Sequence, residues 1–294
     1  MTDNTKSIAL AGIAVLSWAT VATAFKIALQ HLSVFNMLLV ATATATVIYA
    51  VAMTVEGKWK QLKRMPLRLM IEAMSLGVLN PVVYYLVLFQ AYDMLPAQVA
   101  QPVNYAWPIV LLVLLAVFDH EPIPGGKYIG MAVSVAGVVC ISLGGGGVKG
   151  AVSIGGILMA LLSALLWAAY WMLNNRLRYR IDTTVSLFLG FSAGCVVLLL
   201  GGLFVGIDVD SVAGLLSGVY IGCFEMGIPF LTFGMALRLT ANPALVNQMC
   251  YLSPFLSLFL IAMVLGETIA PATYAGLALI VAGLVYNQYF VKSR

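Results

Sequence analysis

The chain carries the same sequence pattern twice. A shift of the sequence by 146 residues along itself superimposes identical residues along both halves. The matched pairs include Ser7 with Ser153, Tyr105 with Tyr251, Pro108 with Pro254, Glu121 with Glu267, Gly130 with Gly276 and Gly137 with Gly283. Both halves consist of apolar runs long enough to cross a lipid bilayer. Because a repeat with an odd number of spans reverses direction from one copy to the next, the duplication predicts two inverted repeats.

The apolar composition excludes a soluble fold. Hydrophobic residues make up 62% of the chain and charged residues only 9%, and no soluble domain of this length buries that much apolar surface. A helix needs roughly 20 apolar residues to cross the hydrocarbon core. Ten such runs are predicted, at about residues 7–29, 33–55, 69–91, 95–117, 127–144, 153–173, 184–206, 213–237, 243–264 and 272–290. The four cysteines all lie within these runs and indicate neither a disulfide framework nor a metal site.

Basic residues set the predicted orientation. They concentrate at 58–68, between spans two and three, and at 176–180, between spans six and seven. If both loops face the cytoplasm, thirteen of the 15 Lys and Arg residues lie on that side, and so do both termini. The predicted fold is therefore an all-α integral membrane protein with ten transmembrane helices, arranged as two inverted five-helix repeats, 1–146 and 147–294. The sequence Ala22-Thr23-Ala24 resembles a signal-peptide cleavage site, but the length of the first run favours a retained helix.

Polar side chains form a stripe on span four and a matching stripe on span nine. The stripes comprise Gln101, Asn104, Tyr105 and Pro108 on span four, and Asn247, Gln248, Tyr251 and Pro254 on span nine. Helical spacing places each set on one face. Two symmetry-related polar stripes, one toward each membrane surface, fit a substrate path with two gates. Hydrogen bonds between helices explain the same amides equally well, and the sequence leaves both interpretations open.

Prolines are predicted to weaken several spans. They are Pro81 in span three, Pro108 in span four, Pro229 in span eight and Pro254 in span nine. Each removes a main-chain N–H and frees a carbonyl, which the bilayer tolerates only beside protein or a water-filled cavity. These four positions are therefore predicted hinges or gates.

Aromatic side chains lie deep within several spans. They are Trp18, Tyr84, Tyr105, Trp107 and Trp167. Trp and Tyr usually mark membrane interfaces, which these mid-span positions do not fit. Buried indoles and phenols need hydrogen-bond partners, and an apolar cavity with a few polar groups, such as Asn80 on the face of Tyr84, would supply them. Ordinary packing within a helix bundle remains the alternative.

Acidic residues occupy two kinds of position. Glu225 lies near the centre of span eight, where a charged group costs about 2.5–3.5 kcal/mol on insertion scales. It is predicted to carry a proton or to pair with an amine, the alternative being a neutral glutamic acid bonded to a neighbour. Glu121 and Glu267 are predicted to be loop or capping residues at the turn into the last span of each half. Lys26, near the end of span one, is predicted to reach the interface.

A family resemblance follows from the repeated motif. The motif runs Pro108, Glu121, Gly130 and Gly137 in the first half, and Pro254, Glu267, Gly276 and Gly283 in the second. This twin pattern covers essentially the whole chain and resembles that of the drug/metabolite transporter superfamily, in its EamA-type branch. The resemblance implies a ten-helix inverted-repeat carrier with a central cavity lined by both halves. The deep aromatic residues are most similar to those of the YddG-type aromatic amino-acid exporters, which would place cavity aromatics at Tyr84, Tyr105, Trp107 and Trp167.

These features favour a secondary transporter that exports amino acids, aromatic and other neutral ones, or similar small metabolites across a bacterial-type inner membrane by alternating access. The expected partners are a small-molecule substrate and the lipid bilayer, and a monomer suffices. No nucleic acid, cofactor or metal is expected. A drug or other metabolite efflux carrier of the same fold is the alternative. An intramembrane enzyme would need paired carboxylates or a metal triad at membrane depth, and a channel would need rings of charge or a carbonyl filter. The sequence shows neither, and it carries no Walker A motif for ATP.

Overall fold

The described residues of the chain are helical throughout. The structure is a computed structural model that describes residues 3–120, 123–144, 153–177, 180–240, 245–246 and 249–289, and no strand occurs within these ranges. In chain order the helices are α1 (Asp3–Ala28), α2 (Val34–Val55), α3 (Trp59–Lys63), α4 (Leu67–Gly77), α5 (Tyr84–Met94), α6 (Ala97–Asn104), α7 (Trp107–Phe118), α8 (Lys127–Gly144), α9 (Ile154–Leu177), α10 (Thr183–Val205), α11 (Val212–Ile221), α12 (Ile228–Leu239), α13 (Leu252–Leu265) and α14 (Pro271–Tyr289). Two π-helical segments, Val78–Val83 and Gly222–Gly227, join α4 to α5 and α11 to α12.

Eight helical runs in the described part of the chain are long and apolar enough to cross a membrane, by length and composition. They are α1, α2, Leu67–Met94, Ala97–Phe118, α8, α9, α10 and Val212–Leu239. Helix α13 is a shorter apolar helix, and α14 occupies the tenth predicted span. The predicted all-helical, multi-pass membrane architecture is therefore confirmed, whereas the count of ten spans and the side on which the termini lie stay predictions.

Polar residues at the connections fix where several helices begin. The Ser33 side chain accepts a hydrogen bond from the backbone N–H of Asn36 at the start of α2. Asp182 does the same for Thr184 at the start of α10, and Ser211 for Gly214 at the start of α11. Each of these side chains satisfies an N–H that has no partner within its own helix.

Prolines coincide with interruptions of three spans. Asn80 has non-helical dihedral angles (φ −138°, ψ 114°) because the ring of the following Pro81 disfavours the helical conformation before it. The run Ala97–Phe118 breaks between α6 and α7, and Pro108 is the second residue of α7. Pro229 is likewise the second residue of α12, which follows the second π segment. Pro254 differs, since it lies in the first turn of α13, where a missing N–H costs no internal hydrogen bond.

The helices form two compact units. The first comprises Met1–Leu86 and Leu173–Ser253, and the second comprises Val87–Met172 and Pro254–Arg294. Each unit therefore draws helices from both halves of the sequence. The predicted division into 1–146 and 147–294 describes two sequence repeats and not two compact units. It stays a prediction.

In the first unit, α4 packs on α10 and the second π segment packs on α2. A Cβ on Gly77 would collide with the main chain of Gly190, so a close approach of α4 to α10 requires glycine there. Nearby, the rings of Tyr49 on α2 and Phe191 on α10 meet edge to face with centroids 5.0 Å apart. This packing holds both interrupted spans of the unit, the one at Pro81 and the one at Glu225, against continuous helices.

In the second unit, α8 and α14 cross in opposite directions through small residues. Gly130 meets Gly283 and Gly137 meets Gly276, and the Ser134 hydroxyl donates to the Ile280 carbonyl between them at 3.0 Å. Ser134 and Ile280 are 146 residues apart. The shift that relates the two halves carries the Gly130–Gly283 contact onto the Gly276–Gly137 contact and exchanges positions 134 and 280.

Candidate functional site

Glu225 lies at the centre of a hydrogen-bonded group in the first unit. Its Oε1 accepts a hydrogen bond of 3.0 Å from the hydroxyl of Tyr85, which is fully buried. Glu225 is 9% exposed and is the only Asp, Glu, Lys or Arg that is buried among the described residues. No Lys, Arg or His of the described ranges forms a salt bridge with it. The carboxyl group is therefore held by a phenol and not by a counter-ion.

Main-chain carbonyls beside this carboxyl group are also bonded by side chains. In an α-helix the N–H of residue 229 would donate to the carbonyl of Glu225, but Pro229 has no N–H. The indole of Trp18 donates to that carbonyl instead, at 3.2 Å, and the Tyr49 hydroxyl donates to the carbonyl of Met226. The expectation that a proline frees a carbonyl, which the protein must then satisfy, is met here by an aromatic donor from α1.

Trp18 packs as well as donates. Its ring lies 5.4 Å from that of Phe233 and 6.3 Å from that of Phe230, both edge to face. This deep tryptophan thus joins α1 to α12 through ring contacts and to the π segment through a hydrogen bond. The role of Trp18 in substrate binding stays a prediction, and its two ring contacts are of the kind that the packing alternative requires.

Asn80 and Tyr84 lie at the other interrupted span of the same unit. The Asn80 side chain is 2% exposed, and neither its Oδ1 nor its Nδ2 has a hydrogen-bond partner among the described residues. A buried polar group without a partner costs about 1–3 kcal/mol, so an amide at this place calls for a ligand group or for solvent. Tyr84 is buried, and its ring meets that of Tyr85 at 4.6 Å.

The polar stripe on span four divides between two roles in the second unit. The Asn104 amide donates to the Ser163 hydroxyl on α9 at 2.8 Å, which is the hydrogen bond between helices that the alternative interpretation required. Gln101 differs, because its buried Oε1 has no partner among the described residues. Tyr105 is half-buried at the break between α6 and α7, three residues before Pro108.

Aromatic rings of α7 and α9 form a cluster in the second unit. Trp107 stacks on Trp171 with centroids 6.3 Å apart and ring planes 14° apart, and Trp167 meets Trp171 edge to face at 6.0 Å. Tyr170 stacks on Trp167 at 5.7 Å. The Nε1 of Trp171 is buried and has no partner in the described part of the chain. The two predicted tryptophans are thus brought together through a third.

Two residues of this arrangement were absent from the predicted site. Trp171 follows Trp167 by one helical turn, so the spacing alone was a usable signal. Tyr85 gave no such signal, because its partner Glu225 is 140 residues away and the contact depends on which helices are neighbours.

Two members of the span-nine stripe, Asn247 and Gln248, lie outside the described residues. Tyr251 is half-buried just before α13.

Glu267 caps a helix other than the one expected. Its carboxylate accepts hydrogen bonds from the backbone N–H groups of Ala97 (3.1 Å) and Gln98 (3.4 Å), at the N-terminus of α6. The Gln98 side chain in turn accepts from the N–H of Ala270 and from the Thr273 hydroxyl at the start of α14. The acid therefore complements the positive end of α6 and does not act only on the turn into the last helix. Glu121 lies outside the described residues.

Charged side chains form a cluster at the helix ends of the first unit. Lys58 Nζ lies 2.7 Å from Asp182 Oδ1 and also contacts Glu56, while Arg238 Nη1 lies 3.4 Å from Asp182 Oδ2. Burial acts to lower the pKa of Lys58, but its hydrogen bonds to Asp182 and Glu56 outweigh burial and raise that pKa. Burial likewise acts to raise the pKa of Asp182, and the bond and charge of Lys58 reverse this, so the pKa of Asp182 is lowered. Both groups stay charged at neutral pH.

The fold and these sites define a class, the multi-pass membrane proteins that carry polar and aromatic side chains within their spans. Comparison with known proteins identifies a family within this class. The chain belongs to the EamA-like transporter family, which matches residues 5–143 and again 154–287. The predicted family is confirmed, and a transporter is compatible with the expectation that the chain is not an enzyme.

One curated relative and one solved structure resemble the chain. The chain is 25% identical over 211 residues to the uncharacterized transporter YvbV of Bacillus subtilis (strain 168), covering 71% of this chain and 68% of that protein. A solved crystal structure superimposes with a TM-score of 0.68 over 97% of both chains at 22% identity, which is a likeness of fold alone.

Proposed function

We propose that this protein is a secondary transporter that exports neutral amino acids, aromatic ones included, or similar small metabolites across a bacterial inner membrane. The observation that carries the proposal is the combination of aromatic rings with buried, unpartnered polar atoms inside membrane spans. Among the buried side-chain atoms that have no partner within the described residues are those of the Asn80 amide, Gln101 Oε1 and Trp171 Nε1, which lie near the aromatic residues. Each unit contributes such atoms beside its own aromatic residues.

The chemistry of these groups matches an amino acid. An ammonium group needs acceptors and a carboxylate needs donors. In the first unit the Asn80 amide offers both an acceptor oxygen and a donor N–H group, and in the second unit Gln101 Oε1 is an acceptor and the Trp171 indole is a donor. The stacked rings of Trp107 and Trp171 offer an apolar surface to a side chain, and aromatic pairs of this kind contribute about 0.5–1.5 kcal/mol beyond burial.

Alternating access is the second part of the proposal. The opposite directions of α8 and α14, and the shift of 146 residues that interchanges their contacts, support repeats that are inverted relative to each other. Pro81, Pro108 and Pro229 lie where spans are interrupted, so we assign them, together with Pro254, as hinge or gate positions. The basic loops support cytoplasmic termini.

Glu225 completes the proposed machinery as a site for a proton or for a substrate amine. It is the buried acidic group of the described spans, and the bilayer makes an unpaired carboxylate expensive.

The proposal is tested by counterflow in proteoliposomes. Vesicles preloaded with unlabelled amino acids should exchange labelled tryptophan, leucine and alanine. Trp107→Ala and Trp167→Ala should each lower the exchange of tryptophan by about tenfold, because each removes a ring from the cluster.

The matched control is Trp59→Ala, since Trp59 lies outside the spans and packs on Phe188 at 5.1 Å. The rate of tryptophan exchange in this variant should stay within about twofold of that of the unaltered protein, a change worth less than about 1 kcal/mol. Absence of exchange of all three amino acids, in protein shown to be folded, would overturn the amino-acid assignment in favour of a drug or other metabolite carrier of the same fold.

A further inference from the structure

We propose that Glu225 and Tyr85 form a proton-binding pair, in which Glu225 takes up and releases the proton that couples transport to the pH gradient and Tyr85 positions the carboxyl group. The inference rests on the proposed function and goes further by choosing the proton over the amine and by assigning Tyr85 as a positioning residue.

Enclosure of the carboxyl group favours a proton over a larger cation. Glu225 is 9% exposed, and the side chains of Tyr85 and Tyr49 beside it are fully buried. The Tyr85 hydroxyl already occupies Oε1 at 3.0 Å. A proton reaches such a group along hydrogen-bonded hydroxyls, whereas an ammonium group needs space of its own and several acceptors.

The pair is built into a segment that interrupts its span. Glu225 belongs to the π segment Gly222–Gly227, and irregular helical turns of this kind recur at functional sites. Trp18 and Tyr49 bond the carbonyls of Glu225 and Met226, so α1 and α2 both hold the segment. A change of charge at Glu225 therefore acts directly on a junction of three spans.

Within the described residues, few other titratable or charged groups lie around the pair. From the packed elements, Tyr49 of α2 and Tyr84 beside Tyr85 face the site, and Cys223 lies on the π segment itself. The charged residues of the adjoining helices lie farther along them, Lys26 eight residues beyond Trp18 on α1 and Arg238 thirteen beyond Glu225 on α12. Helix α11 carries Tyr220, which bonds to Thr20 at 2.7 Å. Glu225 is thus the acid that a proton entering this site would meet.

The proton balance is simple. One proton adds to the Glu225 carboxylate and converts it to a neutral carboxyl group, and the same proton leaves on the other side of the membrane. Tyr85 keeps its own proton in both states and donates to the oxygen that does not carry the added one. No other bond forms or breaks.

The test compares two assays on the same proteoliposomes. Counterflow at equal pH measures exchange alone, and uptake driven by an imposed pH gradient measures coupling. For Glu225→Gln, the ratio of gradient-driven uptake to counterflow should fall at least about tenfold, which corresponds to a loss of the response to one pH unit.

Tyr85→Phe removes the donor to the carboxylate and keeps the ring. The pH at which gradient-driven uptake is half-maximal should rise by about one unit, because the ionised form loses a hydrogen bond. Tyr49→Phe is the matched control, since it removes a phenol that bonds a main-chain carbonyl of the same segment. It should leave the half-maximal pH in place.

Several results would overturn the pair. One is an unchanged ratio of gradient-driven uptake to counterflow in Glu225→Gln. Another is an equal shift of the half-maximal pH in Tyr85→Phe and Tyr49→Phe. The last is a Glu225→Gln protein that loses amino-acid exchange while it still carries a substrate analogue without the amine. The last result would assign Glu225 to the amine. If Glu225→Gln does not fold, the comparison of Tyr85→Phe with Tyr49→Phe decides alone. Absence of counterflow in the unaltered protein would instead refute the proposed function.

Discussion

At the scale of single residues, buried polar side chains in the spans divide into two groups. Ser7, Asn104 and Ser134 donate to groups on neighbouring helices, and they act as links between helices. Asn80 and Gln101 retain buried atoms without partners in the described part of the chain. In the linking residues, the hydrogen bonds offset the cost of burying a polar group. In the second group, a ligand or solvent has to provide those hydrogen bonds. This difference, which residue type does not reveal, distinguishes Asn80 and Gln101 from the residues that link helices.

Asp182 provides a residue-scale prediction with a defined pH dependence. Its pKa is lowered, so its contribution to stability is present above the pKa of the unfolded state and is lost as the pH falls through the lower folded value. Asp182→Asn keeps an N-cap for α10 but removes the charge that pairs with Lys58 and Arg238. The free energy of unfolding at pH 7 should fall by about 1 kcal/mol.

Thermal denaturation in detergent at pH 7 and at pH 3 measures this effect. The difference in stability between variant and unaltered protein should narrow at pH 3, because this pH lies below the ordinary pKa of an aspartate and the unfolded chain is then largely protonated. An equal loss at both values would mean that the amide disturbs the cap itself and that the charge contributes nothing.

At the scale of helices, close crossings depend on glycine at defined positions. On α8, a Cβ at Gly137 would collide with the main-chain oxygen of Gly276 and with the side chain of Ile280 on α14. On α1, a Cβ at Gly12 would meet nothing within 4 Å. The same residue type therefore has a steric role in one helix and none in the other, although both lie in apolar spans.

Gly137→Ala should destabilise the second unit by about 1–3 kcal/mol, the usual cost of overpacking. Gly12→Ala is the matched control and should change stability by less than about 1 kcal/mol, in either direction. Steric-trap or denaturant unfolding of the purified protein compares the two variants. Equal effects would show that the crossing of α8 and α14 yields to an added methyl group.

At the scale of the whole molecule, the sequence predicted the positions of the helices better than it predicted which helices pack against each other. Apolar runs located the spans closely, with α2 at Val34–Val55 against about 33–55, because a run of apolar residues is a local property. Prolines also marked three real interruptions. The π segments and the bond from Tyr85 to Glu225 were not predicted, since they depend on which helices pack together over 140 residues of chain. Pairing between distant helices has no periodic signal in a single sequence.

Inversion of the two repeats is the property of the whole molecule that most needs a direct test. Gln61 and Ile207 are 146 residues apart, both are exposed, and each lies in the connection after the second span of its half. Inverted repeats with cytoplasmic termini place position 61 inside the cell and position 207 outside it.

Single cysteines at these positions, in a chain whose four native cysteines are replaced, report their sides through a membrane-impermeant thiol reagent. In intact cells Ile207→Cys should be labelled and Gln61→Cys should not, while permeabilised cells label both. Labelling of both positions from the same side would mean that the repeats run in parallel. Alternating access built on inverted halves would then be untenable, whatever the substrate.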